Sequence, residues 1–247
     1  MTTQEQPDAA SLNACVVGAT GGIGAALVEQ LHARATIGKI YALSRQPAPP
    51  VGTRIVTGTL DLLDESSIAD AARAISEPLD LVLVATGILH GDGGLSPEKT
   101  YRALDGAHLA QVLAINTTGP ALVAKHFLPL LRPKSRSVFA ALSARVGSIG
   151  DNRLGGWYSY RASKAALNMI LRSLAIETAR RHRDAVIVGL HPGTVDTGLS
   201  QPFQGNVPPG KLFSPDFCAQ RLLGVIDGLG PDDSGKVWDW DGKRVPE

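Results

Sequence analysis

Tyr160 and Lys164 stand four residues apart in YSYRASKAALN, residues 158–168, and on a helix that spacing sets two side chains side by side. A phenol ionises near pH ~10 and is a poor acid or base at neutrality; an adjacent cation draws its pKa toward a useful range. Lys164 supplies that cation. Tyr158 has Ala162 at the same offset, lacks the ammonium, and is expected to pack or line a pocket beside Trp157. The pattern continues through Leu167, Ile170, Leu171 and Leu174, one apolar face of a helix.

A second constellation lies near the start of the chain. VVGATGGIG, residues 16–24, carries an apolar strand into a helix marked by Ile23, Leu27, Val28 and Leu31. Backbone that approaches a phosphate needs glycine, because a Cβ would block it, and the free N–H groups of a helix start face the anion. Gly18, Gly22 and Gly24 read as GxxxGxG, or Gly18, Gly21 and Gly24 as GxxGxxG. Neither is GxGxxG, but strand, turn and helix together predict a pyrophosphate site that takes in Thr20 and Ile23. At the end of the second strand, where an acid would accept from a ribose diol, Ser44 and Arg45 stand instead. An acid would repel a 2′-phosphate while serine and arginine bind it, so NADP(H) is expected over NAD(H). Asp61 and Leu62, after the third strand, fall where the adenine would lie, although Asp61 competes with Asp64 and Ser66 to cap the next helix.

These sites need a scaffold. Apolar runs at 14–17, 39–43, 54–58, 81–85, 137–142, 185–190 and 236–240 alternate with helical patterns. Most are continuous, as in parallel strands covered on both faces. The expectation is α/β: one doubly wound domain over residues 12–247, with a seven-stranded, mostly parallel sheet and helices on both faces. Residues 1–11 are polar and are expected to lie disordered outside it. GLSQPFQGNVPPG, 198–210, predicts a loop or two short helices, part of a substrate loop near 198–213.

Composition excludes several classes. The 247 residues carry a formal net charge of +1, which gives no electrostatic footprint for nucleic acid or a membrane surface. Basic clusters at Arg132–Arg136 and Arg180–Arg183 read as solvated helix ends. Cys15 and Cys218 form no CxxC pair and no His cluster has ligand spacing, so no disulfide and no metal are expected. With no signal-peptide pattern and no bilayer-length apolar run, a cytoplasmic protein is expected.

The glycine turn, Asn116 in AINTTG, Ser143, YRASK at 160–164 and HPGTVDT at 191–197 together resemble the short-chain dehydrogenase/reductase family over nearly the whole chain. LGGWYSYRASKAALN and the terminal WDWDGK look like its C-factor and sniffer-type carbonyl reductase branch. The resemblance implies Tyr160 as general acid/base and Lys164 holding the nicotinamide ribose and lowering the tyrosine pKa. Ser143 would hydrogen-bond the reacting oxygen, and Asn116 would hold a water linking Lys164 to solvent. Pro192, Gly193, Thr194, Val195 and Thr197 match the loop that contacts nicotinamide. The family's strand-four NNAG segment is Val84, Ala85, Thr86 and Gly87 here; the asparagine contacts are missing, though Gly87 still permits close approach of a cofactor. Ser143 and Tyr160 are 17 apart, longer than is common in the family, with Gly155, Gly156 and Trp157 in the added loop.

An NADPH-dependent carbonyl reductase acting on a small-molecule carbonyl or alcohol is therefore expected. Trp157, Leu199, Phe203, Leu212 and Phe213 are candidate walls or lid residues for an apolar or aromatic substrate. Many relatives pack subunits through helices near 105–130 and 160–180, so a homodimer or homotetramer is expected. The alternatives are an NADP-binding regulatory protein with little turnover, an NAD-dependent alcohol dehydrogenase, or a sugar-nucleotide epimerase or dehydratase. Little chain remains after Lys164 for the separate domain that the last requires.

Overall fold

Alternate residues along each apolar run go to different cores, which is why the runs are continuous. In the computed structural model, which describes residues 11–49 and 52–247, Cys15 and Val17 face one core while Ala14 and Val16 face the other. The expectation for residues 1–10 lies outside the described residues. The strands are β1 (Leu12–Val17), β2 (Ile37–Ser44), β3 (Ile55–Thr59), β4 (Leu81–Val84), β5 (Ser137–Leu142), β6 (Ala185–His191), β7 (Thr194–Val195), β8 (Leu212–Phe213) and β9 (Val237–Asp239).

Seven of these make one sheet in the order β3-β2-β1-β4-β5-β6-β9, with every pairing parallel. One face packs on α1 (Gly22–His32) and α6 (Pro215–Gly228), through Leu27, Leu31, Leu222 and Ile226. The other packs on α2 (Glu65–Arg73), α4 (Gly119–Phe127) and α5 (Tyr158–Thr178), through Ile68, Phe127, Leu167 and Leu171. A shorter helix, α3 (Gly106–Leu113), packs beside α5. Cys15 and Cys218 are free and buried on opposite faces. No helix among the described residues is long and apolar enough to cross a membrane. Strand order reverses between β1 and β4, the switch point at which open α/β sheets form a crevice beyond the strands' carboxyl ends.

Two features differ from the sequence reading. A two-stranded parallel ribbon, β7 with β8, joins the segment after β6 to the end of the 198–213 loop, which otherwise holds a 3₁₀ turn over Gln201–Asn206. The cluster at Arg132–Arg136 is not a solvated helix end. Arg132 donates to both carboxylate oxygens of buried Asp80, at 2.6 and 2.9 Å, and Asp80 also accepts from the Asn13 N–H. Arg136 donates to the carbonyls of Ile226 and Leu229 at the end of α6, where carbonyls lack their full set of helical donors. A buried acid and a carbonyl-rich helix end attract these arginines from distant parts of the chain.

The turn after β1 is tightly packed. A Cβ on Gly24 would stand 2.0 Å from the Gly18 carbonyl oxygen, and one on Gly22 would stand 2.7 Å from Thr197 Cγ2. On Gly21 it would meet nothing closer than 3.4 Å. Gly24→Ala should therefore cost at least about 3 kcal/mol and Gly21→Ala less than about 1 kcal/mol. Denaturant midpoints at unchanged m would check this.

Candidate active site

The switch point brings the nucleotide constellation together. Gly18, at φ 88°, would place a Cβ 2.8 Å from Thr86 Cγ2 and 3.0 Å from the Ala85 carbonyl, so the ends of β1 and β4 touch through a missing side chain. Beside this contact opens a cavity of about 580 Å³. Its walls include Gly18, Thr20, Gly21, Ser44, Arg45, Asp61, Leu62, Ala85, Thr86 and Gly87, together with Gln46, Leu63, Ile88 and Ile115, which the sequence reading did not single out. Gly22, Ile23 and Gly24 do not line it. Gly22 meets Thr197 and Gly24 meets Gly18, so these two glycines are required by packing of the chain on itself. Asp64 caps α2 by accepting from the Ser66 N–H, which leaves the Asp61 carboxylate to the Leu63 N–H at the cavity.

The cavity fits a phosphorylated dinucleotide. The hydroxyl oxygens of Ser44 and Thr86 are buried with no hydrogen-bond partner, and such groups are rarely left unsatisfied without a ligand. Arg45 is exposed at the rim, and no carboxylate follows Ser44 at the end of β2.

The tyrosine–lysine constellation sits past Gly87, where α5 meets the end of β5. Lys164 is buried and its Nζ donates to the Leu142 carbonyl at 2.8 Å. It stands 5.8 Å from the centre of the Tyr160 ring and 3.6 Å from where a Cβ on Gly87 would lie. Gly147 lets the helix in: a Cβ there would lie 2.8 Å from the Lys164 carbonyl carbon. Burial pushes the Tyr160 phenol up to about 12 and holds the Lys164 ammonium down at about 8. In both cases the cause is burial, which favours the uncharged form of each group.

Asn116 lies in a π-helical turn, Ala114–Thr118, between α3 and α4. Its side-chain amide is used at both ends: Oδ1 accepts from the Ile88 N–H at 2.8 Å, and Nδ2 donates to the Ile88 carbonyl at 2.9 Å and Ser163 Oγ at 3.1 Å. Pro120 has no N–H to give the Asn116 main-chain carbonyl one turn earlier. Ser163 donates to the Tyr160 carbonyl and its own carbonyl accepts from Thr117, so Asn116 ties the wall after β4 to α5. Ser143 is buried, and its hydroxyl donates to Asn168 Oδ1 at 2.6 Å.

Helix α5 begins without a cap of its own. Gly155, Gly156 and Trp157 have φ of 62°, 64° and 51°, a left-handed run in which Trp157 is strained. Glu98 holds it from another loop: its carbonyl accepts from the Trp157 N–H, and its buried carboxylate accepts from the Ser159 N–H and hydroxyl. Negative charge is favourable at a helix N-terminus. Glu98 is 61 residues from Ser159, and no local sequence signal marks it.

Aromatic rings stand over Tyr160. Trp157 lies 6.3 Å from the Tyr160 ring and 5.3 Å from Phe203, and Phe203 lies 5.8 Å from His90. Leu199 is half-buried at the start of this loop. Phe213 does not join the wall; it packs with Phe217 and Trp240 beneath Gly193, whose φ is 76°. Leu212 is exposed beside it, and Tyr158 is exposed on the first turn of α5 rather than packed beside Trp157. Pro192 to Thr197 run from β6 through β7 back to Gly22, and Gly87, which lines the cavity, lies beside Lys164 Nζ, so the two constellations adjoin.

Known proteins share this fold. The family model for short chain dehydrogenase matches residues 12–207. The chain is 41% identical over 143 residues to the C-signal of Myxococcus xanthus, covering 58% of this chain and 81% of that protein. It is 32% identical over 232 residues to 1-hydroxy-2-glutathionyl-2-methyl-3-butene dehydrogenase of Rhodococcus sp. (strain AD45), covering 92% and 96%. The NADPH-bound carbonyl reductase from chicken fatty liver superposes with a TM-score of 0.82 at 26% identity, covering 96% of this chain and 94% of that one. Carbonyl reductase Sniffer of D. melanogaster has the same fold, with a TM-score of 0.81 at 22% identity over 96% of this chain and all of that one. The chain belongs to the short-chain dehydrogenase/reductase family and is an oxidoreductase on a Rossmann-like fold.

Proposed function

We propose that the protein is an NADPH-dependent carbonyl reductase, with Tyr160 as the proton donor to the carbonyl oxygen. The observation that carries this is the buried Lys164 one helical turn from Tyr160, its Nζ held by the Leu142 carbonyl, with Trp157 edge-on to the Tyr160 ring. When bound, the reduced nicotinamide supplies a hydride to the carbonyl carbon. Gly18, Thr20, Gly21, Thr86 and Gly87 hold the dinucleotide along its length. Ser44 and Arg45 take the 2′-phosphate, Asp61 and Leu62 border the adenine, and Pro192 to Thr197 border the nicotinamide.

Ser143 orients the reacting oxygen toward Tyr160. Lys164 holds the nicotinamide ribose, and its ammonium stabilises the phenolate left when Tyr160 gives up its proton. Asn116 holds the water through which Tyr160 and Lys164 are reprotonated. Trp157 and Phe203 present apolar faces suited to an aromatic or other flat carbonyl compound.

NADPH and NADH oxidation over a panel of aldehydes, ketones and diketones tests the reading. NADPH turnover is expected, and Tyr160→Phe should lower it by at least about tenfold. Undiminished turnover in that variant rejects the assignment, and cofactor binding without turnover across the panel favours a regulatory protein. Arg45→Asp should weaken NADPH binding by about tenfold or more while leaving NADH binding nearly unchanged; equal losses for both would remove the case for a 2′-phosphate site.

The pH dependence has a definite sign. Burial holds Tyr160 protonated throughout the neutral range, whereas Lys164 loses its proton as pH rises through about 8. Carbonyl reduction, which consumes a proton, should therefore be constant below that pH and decline above it, read as kcat/KM for the carbonyl at saturating NADPH.

A further inference from the structure

Ser143 spends its only hydroxyl hydrogen on a residue with no role so far. That hydrogen goes to Asn168 Oδ1 at 2.6 Å. A hydroxyl has one hydrogen and two lone pairs, so a serine hydrogen given to Asn168 is not given to a carbonyl oxygen. An amide has two ends. Turned over about its last torsion, Asn168 offers an N–H to Ser143 Oγ, and the serine hydrogen becomes free to point elsewhere.

The position favours such control. Tyr160, Lys164 and Asn168 follow one another at four-residue steps on α5, so they share one helix face. That face grips the end of β5 at consecutive residues: Lys164 holds the Leu142 carbonyl, and Asn168 holds the Ser143 side chain.

We propose that Asn168 is a positioning residue that sets the hydrogen-bond sense of Ser143. With its N–H toward Ser143 it turns the serine hydrogen onto a substrate carbonyl, which can only accept. With its oxygen toward Ser143 it takes that hydrogen and leaves a serine lone pair for the product alcohol, which can donate. The same serine then serves both ends of the reaction without moving its oxygen. This rests on the reading of Ser143 as the group that holds the reacting oxygen.

The test compares Asn168→Leu, Asn168→Asp and Tyr160→Phe in NADPH-dependent reduction of the best carbonyl in the panel, from about pH 5 to about pH 8, with NADPH binding measured by fluorescence. Asn168→Leu should lose about tenfold in kcat/KM at every pH, and NADPH affinity should stay within about twofold. Asn168→Asp should be as slow at about pH 8, where a carboxylate can only accept. It should recover as pH falls and the carboxyl gains an O–H that can donate, a rise absent from both wild type and Asn168→Leu. Parallel profiles for the two variants, or activities within about twofold of wild type, overturn the proposal while Tyr160→Phe remains inactive. Full turnover in Tyr160→Phe overturns the underlying reading, and the proposal with it. Should the leucine variant not fold, the pH profile of Asn168→Asp decides alone.

Discussion

A lysine can be buried at the edge of a sheet only if something accepts its hydrogens, and here the Leu142 carbonyl does so. That bond fixes the distance between α5 and the end of β5, and much of the site follows from it. Gly147 has to lack a side chain because the backbone of Lys164 passes where a Cβ would be, and Gly87 borders Nζ from the other side. Asn116 and Thr117 then fasten the neighbouring Ser163, and Glu98 fastens Ser159 a turn earlier. One helix is held from three separate loops, so Tyr160 has little freedom of position.

The same burial bears on the chemistry proposed for the pair. Loss of water favours the uncharged form of each group, the phenol over phenolate and the amine over ammonium. The protein alone does not make Tyr160 acidic. In the proposed reaction the charge that would do so arises only as the nicotinamide gives up its hydride and turns positive, which would couple proton release to hydride transfer. His191, at the end of β6, shows the same effect: burial pushes its imidazole down to about 4 against the opposing charge of Asp239.

How much was legible in the sequence depended on whether the cause was local. The strands of the sheet could be read from apolar runs because both faces of the central ones are covered, and the nucleotide turn because strand, glycines and helix are contiguous. The reason for those glycines was only partly legible: Gly22 and Gly24 serve contacts with Thr197 and Gly18, one of them across most of the chain. The ribbon of β7 with β8 has two residues per strand, too few for any pattern. Arg132 was misread because its partner Asp80 lies 52 residues away, and Glu98 left no trace for the same reason. Asn168 was within reach, since it continues the four-residue step of Tyr160 and Lys164. Its partner Ser143 lies on another element, and periodicity does not name partners.

Trp157 and Phe203, the rings nearest Tyr160, come from two loops that add no strand to the main sheet and take no part in the contacts that seat Lys164. Trp157 is held by the main-chain carbonyl of Glu98, a bond that does not depend on which side chain stands at 157. Shape of the opening and placement of the reacting groups are thus separate inheritances of the chain. Replacing the rings would refit the entrance to a different compound while leaving the seat of the helix intact, so preference for a substrate can drift on this scaffold faster than the chemistry beneath it.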